Sequence, residues 1–354
     1  MHSKINSKIE VMNVCFIMYP WEEIVPEKDS TLTLIHECVK RGHKVAIAAP
    51  ANLTIRNSIA YAFSKVIMKK DKVPAQMKSF YKNAELKEKM LPLAGFDVIM
   101  MRANPPLDPI ALNFLDSVKD DVFIVNDIEG LREANNKLYT ACFDDPNNEI
   151  IPVTHVSKNK EYLKTVIKEN PKEKMIMKPL NGFGGSGVIM IEKTAMGNVN
   201  SLLDFYIDNK DGSTNYVILQ DYIEGAEKGD ARILLLNGKP IGAIQRVPGS
   251  EDHRSNISAG GTFKKHTLTP AEKNLCKKIG PKLVKDGLYF VGIDVISGML
   301  VEVNVMSPGG ITQINRTSKT KVQEKVVDFF EEEVEGRIKA LERRNKLKGT
   351  IIDA

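Results

Sequence analysis

From residue 11 onward, apolar positions gather into short runs separated by polar, glycine- and proline-marked breaks. Residues 11–19 (VMNVCFIMY), 44–49 (KVAIAA), 96–101 (FDVIMM) and 121–126 (DVFIVN) are near-continuous apolar runs of the length of buried strands. Between the first two, Leu34, Ile35, Cys38 and Val39 recur at helical spacing after Asp29-Ser30, and Gly42 follows. A capped helix through about Arg41 is therefore expected, and strand–helix–strand makes a βαβ unit of a parallel sheet. Residues 53–92 are mixed and lysine-rich, and a largely helical segment is expected there.

Further along, a helix is expected from Glu129 to Phe143, a strand near 150–154, and a helix near 158–169 ended by Asn170-Pro171. Apolar runs at 174–179 and 188–192 flank a glycine-rich loop, and a helix near 200–209 precedes a strand at 216–223. Strands at 231–236 and 240–247 enclose Asn237-Gly238, a hairpin turn sequence. Residues 248–263 (PGSEDHRSNISAGGTF) are too long and too glycine-rich for a simple connector and read as a lid or an insertion. Thr269-Pro270-Ala271-Glu272 is a capping box with proline at the first helical position. It opens a helix with Leu275, Ile279 and Leu283 inward, ending at Gly287. A final amphipathic helix over about 321–347 carries Val322, Val326, Phe330, Val334, Ile338 and Leu341 on one stripe.

The stretch that gives these elements a purpose is 289–310, YFVGIDVISGMLVEVNVMSPGG. Two β-branched runs flank Ser297-Gly298-Met299, the pattern of a hairpin. A turn centred on Gly298 pairs Asp294 with Glu302, Ile293 with Val303 and Val295 with Val301. Strand alternation then puts Asp294, Glu302 and Asn304 on one face and Ile293, Val295, Val301, Val303 and Val305 on the core face. Opposed carboxylates repel unless a cation lies between them. Two carboxylates and an amide carbonyl are hard oxygen donors suited to magnesium or manganese with substrate phosphates, the alternative being a solvated strand face.

Composition narrows the rest. The 354 residues suggest two or three domains, and 42% hydrophobic residues suffice for a core. A net charge of +5 without a dense basic block gives no indication of nucleic acid. Four scattered cysteines, Cys15, Cys38, Cys142 and Cys276, match no zinc or redox spacing and point to a reduced, cytoplasmic setting. Neither a signal-peptide pattern nor an 18-residue apolar stretch is found, so no membrane association is expected.

The phosphate cradle is expected at 178–187. Gly182-Phe183-Gly184-Gly185-Ser186-Gly187 matches GxGxxG, yet a strand follows the loop where a dinucleotide fold needs a helix. What remains is a glycine hairpin whose N–H groups can close over phosphates, with Lys178 beside it; the plain alternative is a surface turn. Arg102, in MRANPPLD, is either a carboxylate anchor or an ordinary surface arginine. No serine, cysteine or histidine nucleophile is set up, and cations converging with a metal hairpin suit phosphoryl transfer to a carboxylate.

The ordered series KDST (28–31), MRANPPLD (101–108), GLREANNKLYT (130–140), KPLNGFGGSG (178–187), GDARILLLNGKP (229–240), RVPGSEDHRSNISAGG (246–261), IGPKLVKDGLYFVGIDVI (279–296) and VEVNVMSPGG (301–310) resembles the bacterial-type glutathione synthetases, which are ATP-grasp ligases. The resemblance implies an α/β fold of ATP-grasp type, with a parallel α/β domain at 1–127. It also implies α+β subdomains clasping ATP at 128–222 and 223–330, and a helical extension at 331–354. By the same resemblance Lys137 and Lys178 hold ATP phosphates under the loop of Gly182, Phe183, Gly184, Gly185, Ser186 and Gly187. Gln220, Asp221, Tyr222 and Ile223 line the adenine, through backbone groups and the Ile223 side chain, Asp230 is a further nucleotide contact, and Asp294, Glu302 and Asn304 hold two Mg2+ or Mn2+ ions. Arg232, Arg246 and Arg254, grouped with Asn256, neutralise the reacting centre; Ser30, Arg102, Asn256, Ser307, Gly309 and Gly310 shape the peptide site.

The implied reaction joins γ-glutamylcysteine and glycine with ATP to give glutathione, ADP and phosphate, in a homo-oligomer. RSNISAGG departs from the family's RGNLAAGG at Ser255, and SPGG replaces a form with larger residues after the proline. A different ATP-grasp carboxylate–amine ligase, or a non-catalytic ATP-binding regulator, is the alternative reading.

Overall fold

The computed structural model describes residues 11–182, 185–248 and 262–352. The chain divides into one unit of residues 1–128 with 319–354, and a second of residues 129–318.

In the first unit, strand β1 (Asn13–Met18) leads to helix α1 (Ser30–Lys40), β2 (Lys44–Ala48), β3 (Leu53–Arg56), β4 (Ile59–Ile67), α2 (Met77–Asn83), β5 (Leu86–Pro92), β6 (Val98–Arg102), α3 (Pro109–Asp116) and β7 (Phe123–Val125). Strands β2, β1, β6 and β7 are parallel neighbours, as their apolar runs require. The segment expected to be helical instead extends the sheet: β4 pairs antiparallel with β2, β3 and β5. Along β4 the even positions Ala60, Ala62 and Ser64 are buried while Ile59 and Phe63 face outward. That is a period of two; on β5, Met90 lies opposite the outward Phe63, while Lys87 and Lys89 lie opposite Val66 and Ser64. The sheet is therefore mixed.

Helix α10 (Val322–Ile352) belongs to this unit and runs unbroken through residue 331, where the sequence suggested a separate extension. Val322, Val326, Phe330 and Val334 are buried, Arg41 pairs with Asp328 and Glu331, and Arg337 lies over Phe123. The expected stripe stops there: Ile338 and Leu341 are exposed.

The second unit opens with α4 (Ile128–Ala134) and α5 (Leu138–Ala141), separated where one helix was expected. Next come β8 (Thr154–Ser157), α6 (Lys160–Glu169), β9 (Lys174–Pro179), β10 (Ile189–Glu192), α7 (Val199–Ile207) and β11 (Val217–Asp221). The strands make an antiparallel sheet in the order β10-β9-β11-β8. Leu163 and Ile167 of α6 and Leu203 of α7 pack with Met175, Met177, Val217 and Leu219 on one face.

A second antiparallel sheet, β14-β13-β12-β15-β16, contains β12 (Asp230–Leu236), β13 (Lys239–Val247), β14 (Thr262–Lys265), β15 (Phe290–Ile296) and β16 (Met299–Asn304). Phe263, expected in the lid loop, is a strand residue opposite Arg246. Helix α8 (Pro270–Lys285) begins with the capping box read from the sequence, and α9 (Ile311–Ser318) follows the SPGG turn.

The β15–β16 hairpin has the expected pairs Asp294↔Glu302 and Ile293↔Val303. Nearer the turn the register shifts by one, so that Val295 faces Leu300 rather than Val301. Leu300 is consequently buried and Val301 only partly so. The cause is a bulge beside Asp294, joined to a two-residue turn in which Ser297 (φ 49°) and Gly298 (φ 83°) are both left-handed.

Candidate active site

Register brings the charged residues of the second unit together. Arg232, Asp294 and Glu302 are direct cross-strand neighbours on three adjacent strands, and Asp230 faces Arg246 one row away. Arg232 grips Asp294 bidentately, Nε to Oδ1 at 2.5 Å and Nη2 to Oδ2 at 3.0 Å. Arg246 donates Nε to Asp230 Oδ1 at 2.9 Å, bonds Asp230 Oδ2 through Nη2, and reaches Asp294 Oδ2 at 2.9 Å. Burial would raise the Asp294 carboxyl, but Arg232 and Arg246 overcome it and hold it well below the usual carboxylate range. Burial likewise opposes the Arg246 charge, and Asp294 and Asp230 more than offset it.

Asn304 donates its amide to Asp294 Oδ2 at 3.4 Å. Lys137, in the gap between α4 and α5, lies 3.3 Å from Glu302 Oε1 and donates to the Gly182 carbonyl at 2.5 Å. Lys178, near the end of β9, is buried, 2.9 Å from Gln220 Oε1 and 3.5 Å from the Val301 carbonyl. Burial pushes its ammonium down to about 8, opposed by Glu302 and Asp294 and reinforced by Lys137. Four cations thus meet three carboxylates, a balance that suits a polyanion arriving with its own metal ion. The oxygen donors Asp294, Glu302 and Asn304 fit magnesium or manganese, and no group of three or more His, Cys, Asp or Glu metal donors occurs among the described residues.

The glycine loop is a hairpin connection between β9 and β10, with left-handed backbone at Gly182, Gly185 and Gly187 and with Ser186 exposed. Tyr206 Oη donates to the Gly187 carbonyl at 2.9 Å. Phe183, Gly184, Arg254 and Asn256 lie outside the described residues. Of the expected adenine segment, Gln220 points toward Lys178, whereas Asp221 alternates to the helix-covered face. Its carboxylate there accepts from Asn170 Nδ2 at 2.6 Å and lies 3.0 Å from Lys172, and its N–H donates to the Val153 carbonyl at 2.9 Å. The Tyr222 hydroxyl bonds Glu227, and the Ile223 carbonyl accepts from Ala226 N–H.

At the SPGG turn, the Gly309 carbonyl accepts from Arg232 Nη1 at 3.3 Å, and a Cβ at Gly309 would meet nothing within 4 Å. Gly310 has φ 125° and begins the turn into α9, which starts just after Ser307-Pro308. In the first unit, Arg102 is buried at the end of β6 and donates Nε to Thr31 Oγ1 at 3.0 Å; burial disfavours its charge while Tyr19 and Asp29 support it. Arg102 is thus no ordinary surface arginine. Ser30, also buried, is the first residue of α1 after the Asp29 cap, whose carboxylate accepts from Leu32 N–H at 2.7 Å.

Three contributors escaped the sequence reading. Gly292 pairs with Asn304, and a Cβ there would lie 2.8 Å from Pro308 Cβ and 3.3 Å from Arg232 Cδ. Thr140 of α5 accepts from Val303 N–H at 3.2 Å and so ties β16 beside Lys137. Thr154 of β8 holds the Gln220 amide. Gly292 stands inside the quoted motif, but nothing in one sequence distinguishes it from a glycine that merely fits.

Paired sheets holding a glycine hairpin, two lysines and a carboxylate hairpin define an ATP-grasp ligase. The solved structures agree on the fold: D-cycloserine synthetase DcsG (TM-score 0.58, 13% identity, 90% of this chain and 99% of that one) and the D-alanine–D-alanine ligase from Coxiella burnetii (TM-score 0.56, 11%, 96% and 99%). The ATP-grasp ligase PsnB, solved with a precursor variant, Mg and ADP, superposes with TM-score 0.59 at 13% identity over 92% of this chain and 99% of that one. The family models described as prokaryotic glutathione synthetase, N-terminal domain and ATP-grasp domain, match residues 12–132 and 136–319. Glutathione synthetases of Gloeobacter violaceus (33% identity, 91% of this chain, 97% of the relative) and Synechocystis sp. (34%, 91% and 100%) are among its relatives. The chain belongs to the prokaryotic glutathione synthetase family.

Proposed function

We propose that this chain joins γ-glutamylcysteine to glycine with ATP. The observation that carries the reading is the cross-strand row Arg232–Asp294–Glu302 with Lys137 and Lys178 beside it, because phosphoryl transfer needs positive charge gathered round the migrating group. The cysteinyl carboxylate attacks the γ-phosphorus, the bond to the β-phosphate oxygen breaks, and ADP leaves. The glycine amine then adds to the acyl phosphate carbon, loses its proton, and expels inorganic phosphate.

Lys137 and Lys178 hold phosphate oxygens under the glycine loop. Arg232 and Arg246, with Arg254 and Asn256 assigned to the same role by resemblance, face the charge that builds up on the acyl group. Asp294, Glu302 and Asn304 would hold two magnesium or manganese ions, which when bound would neutralise phosphate charge. Gln220, with the backbone of Asp221, Tyr222 and Ile223, lines the base, and Asp230 faces the nucleotide through its place beside Arg246. For the first unit, Ser30 and Arg102 are assigned to a substrate carboxylate; for the second, Ser307, Gly309 and Gly310 border the acceptor.

ADP release is the test, measured with γ-glutamylcysteine and a panel of amines. Glycine is expected to give the fastest turnover. Turnover with other acid–amine pairs and none with this one would favour a different ATP-grasp ligase, a reading the open space at Gly309 supports. AMP in place of ADP would exclude the acyl phosphate. We also infer a cytoplasmic homo-oligomer. Reduced cysteines throughout fit that compartment, and exposed Phe63 and Met90, paired across β4 and β5, offer apolar surface for a second copy. Sedimentation of a strict monomer at micromolar concentration would oppose the assembly.

A further inference from the structure

Lys178 is buried in the site, and its four-carbon stem is flexible, so something must aim it. A relay of hydrogen bonds does so. The Thr154 hydroxyl donates to the Pro152 carbonyl at 2.6 Å, Gln220 Nε2 donates to Thr154 Oγ1 at 2.8 Å, and Lys178 Nζ donates to Gln220 Oε1 at 2.9 Å. A hydroxyl has one proton, and here it is committed to Pro152. Thr154 therefore meets Gln220 as an acceptor, which turns the amide nitrogen toward Thr154 and the amide oxygen toward the ammonium. Backbone register locks the rest, since Gln220 pairs with Thr154 on one side and Ile176 on the other.

We propose that Thr154 is a positioning residue for nucleotide binding: by fixing the orientation of the Gln220 amide, it aims the Lys178 ammonium at the phosphates. This rests on the assignment of Lys178 as a phosphate ligand. Without the Thr154 oxygen the amide can rotate and present its NH2 to the ammonium, donor against donor. The ammonium then leaves its place.

The full-length variants Thr154→Val, Thr154→Ser and Gln220→Met decide it, read by calorimetric titration with ADP and magnesium, by kcat and KM measured separately, and by thermal melting. Thr154→Val keeps shape and strand propensity but removes the oxygen. It is expected to weaken ADP binding and raise the KM for ATP about 10-fold, with the KM for γ-glutamylcysteine changed less than about twofold. Thr154→Ser should restore most of the affinity. The double variant Thr154→Val with Gln220→Met should bind no worse than Gln220→Met alone, because Thr154 acts through Gln220.

ADP affinity of Thr154→Val within about twofold of the parent overturns the proposal, and so do additive effects in the double variant. Equal loss in Thr154→Ser and Thr154→Val overturns it as well, since packing and not the hydroxyl would then be responsible. If the parent chain bound no nucleotide, the phosphate assignment would fall together with this one. If it bound ADP but made no product from γ-glutamylcysteine and glycine, only the reaction assignment would fail.

Discussion

Gly292→Ala adds one methyl to the floor of the site. That carbon would lie 2.8 Å from Pro308 Cβ, 3.3 Å from Arg232 Cδ and 3.5 Å from Arg232 Nη1. Carbon atoms rest about 3.5–4.0 Å apart, so something must move by about 1 Å. The proline carbon belongs to a rigid ring and cannot rotate away, so the strain falls on the turn at 307–310 or on Arg232. Either movement breaks the set in which Arg232 grips Asp294 with two nitrogens and the Gly309 carbonyl with the third. Overpacking of this kind costs about 1–3 kcal/mol, which for a unit of this size lowers the melting temperature by about 2–10 °C. A 1 Å displacement at a reacting centre costs about 100-fold in rate. ADP release at saturating substrates should therefore fall by roughly that factor. ADP affinity should change little, because Lys178 and Gln220 stand on the other sheet. A turnover within about twofold of the parent, or a loss of ADP binding in step with turnover, would refute the reasoning. Pro308→Gly removes the atom that the methyl meets, so the double variant should show coupling of about 1 kcal/mol in stability.

Other expectations follow from the same contacts. Glu302→Ala should lower turnover at least about 100-fold, measured by ADP release, since it removes one of the two opposed carboxylates; a near-parental rate would contradict the metal assignment. His43 is held below its ordinary value by burial, which outweighs the pull of Glu331 and Asp97 and is aided by Arg41. Its Nδ1 accepts from Met12 N–H, and its other nitrogen faces Glu331. A folded-state value below the unfolded one of about 6.5 means stability fully present above pH 6.5 and lost as pH falls through the folded value. Denaturant melts should show His43→Gln losing less stability than the parent between pH 7.5 and 5.5. Along α10, Phe330→Ala should cost about 3–5 kcal/mol, whereas Ile338→Lys, at an exposed position, should stay within about 0.5 kcal/mol; equal costs would mean that the exposed half is covered in solution.

Local pattern carried much of this molecule. The βαβ start, the Thr269 capping box and the Asp294↔Glu302 pairing all follow from neighbours within a few residues, where period and cap chemistry act directly. Errors came where distant segments decide. Residues 53–92 looked helical because their lysines concealed a one-sided antiparallel strand whose partners lie on either side in sequence. Val301 was placed in the core because a one-residue bulge cannot be read from alternation alone. Which face of β11 carries the Asp221 carboxylate is likewise visible only through its distant partners Asn170 and Lys172.

The sequence by itself determined the parallel strands of the first unit, the capped helices, the family motifs and the oxygen donors of the hairpin, because these depend on spacing and residue chemistry along one stretch of chain. Only the tertiary structure decided that Arg232 and Arg246 both close on Asp294, that Thr154 orients the amide beside Lys178, and that Gly292 must lack a side chain. Those are contacts between strands far apart in sequence, and their distances are set by sheet register and packing, which no single segment encodes.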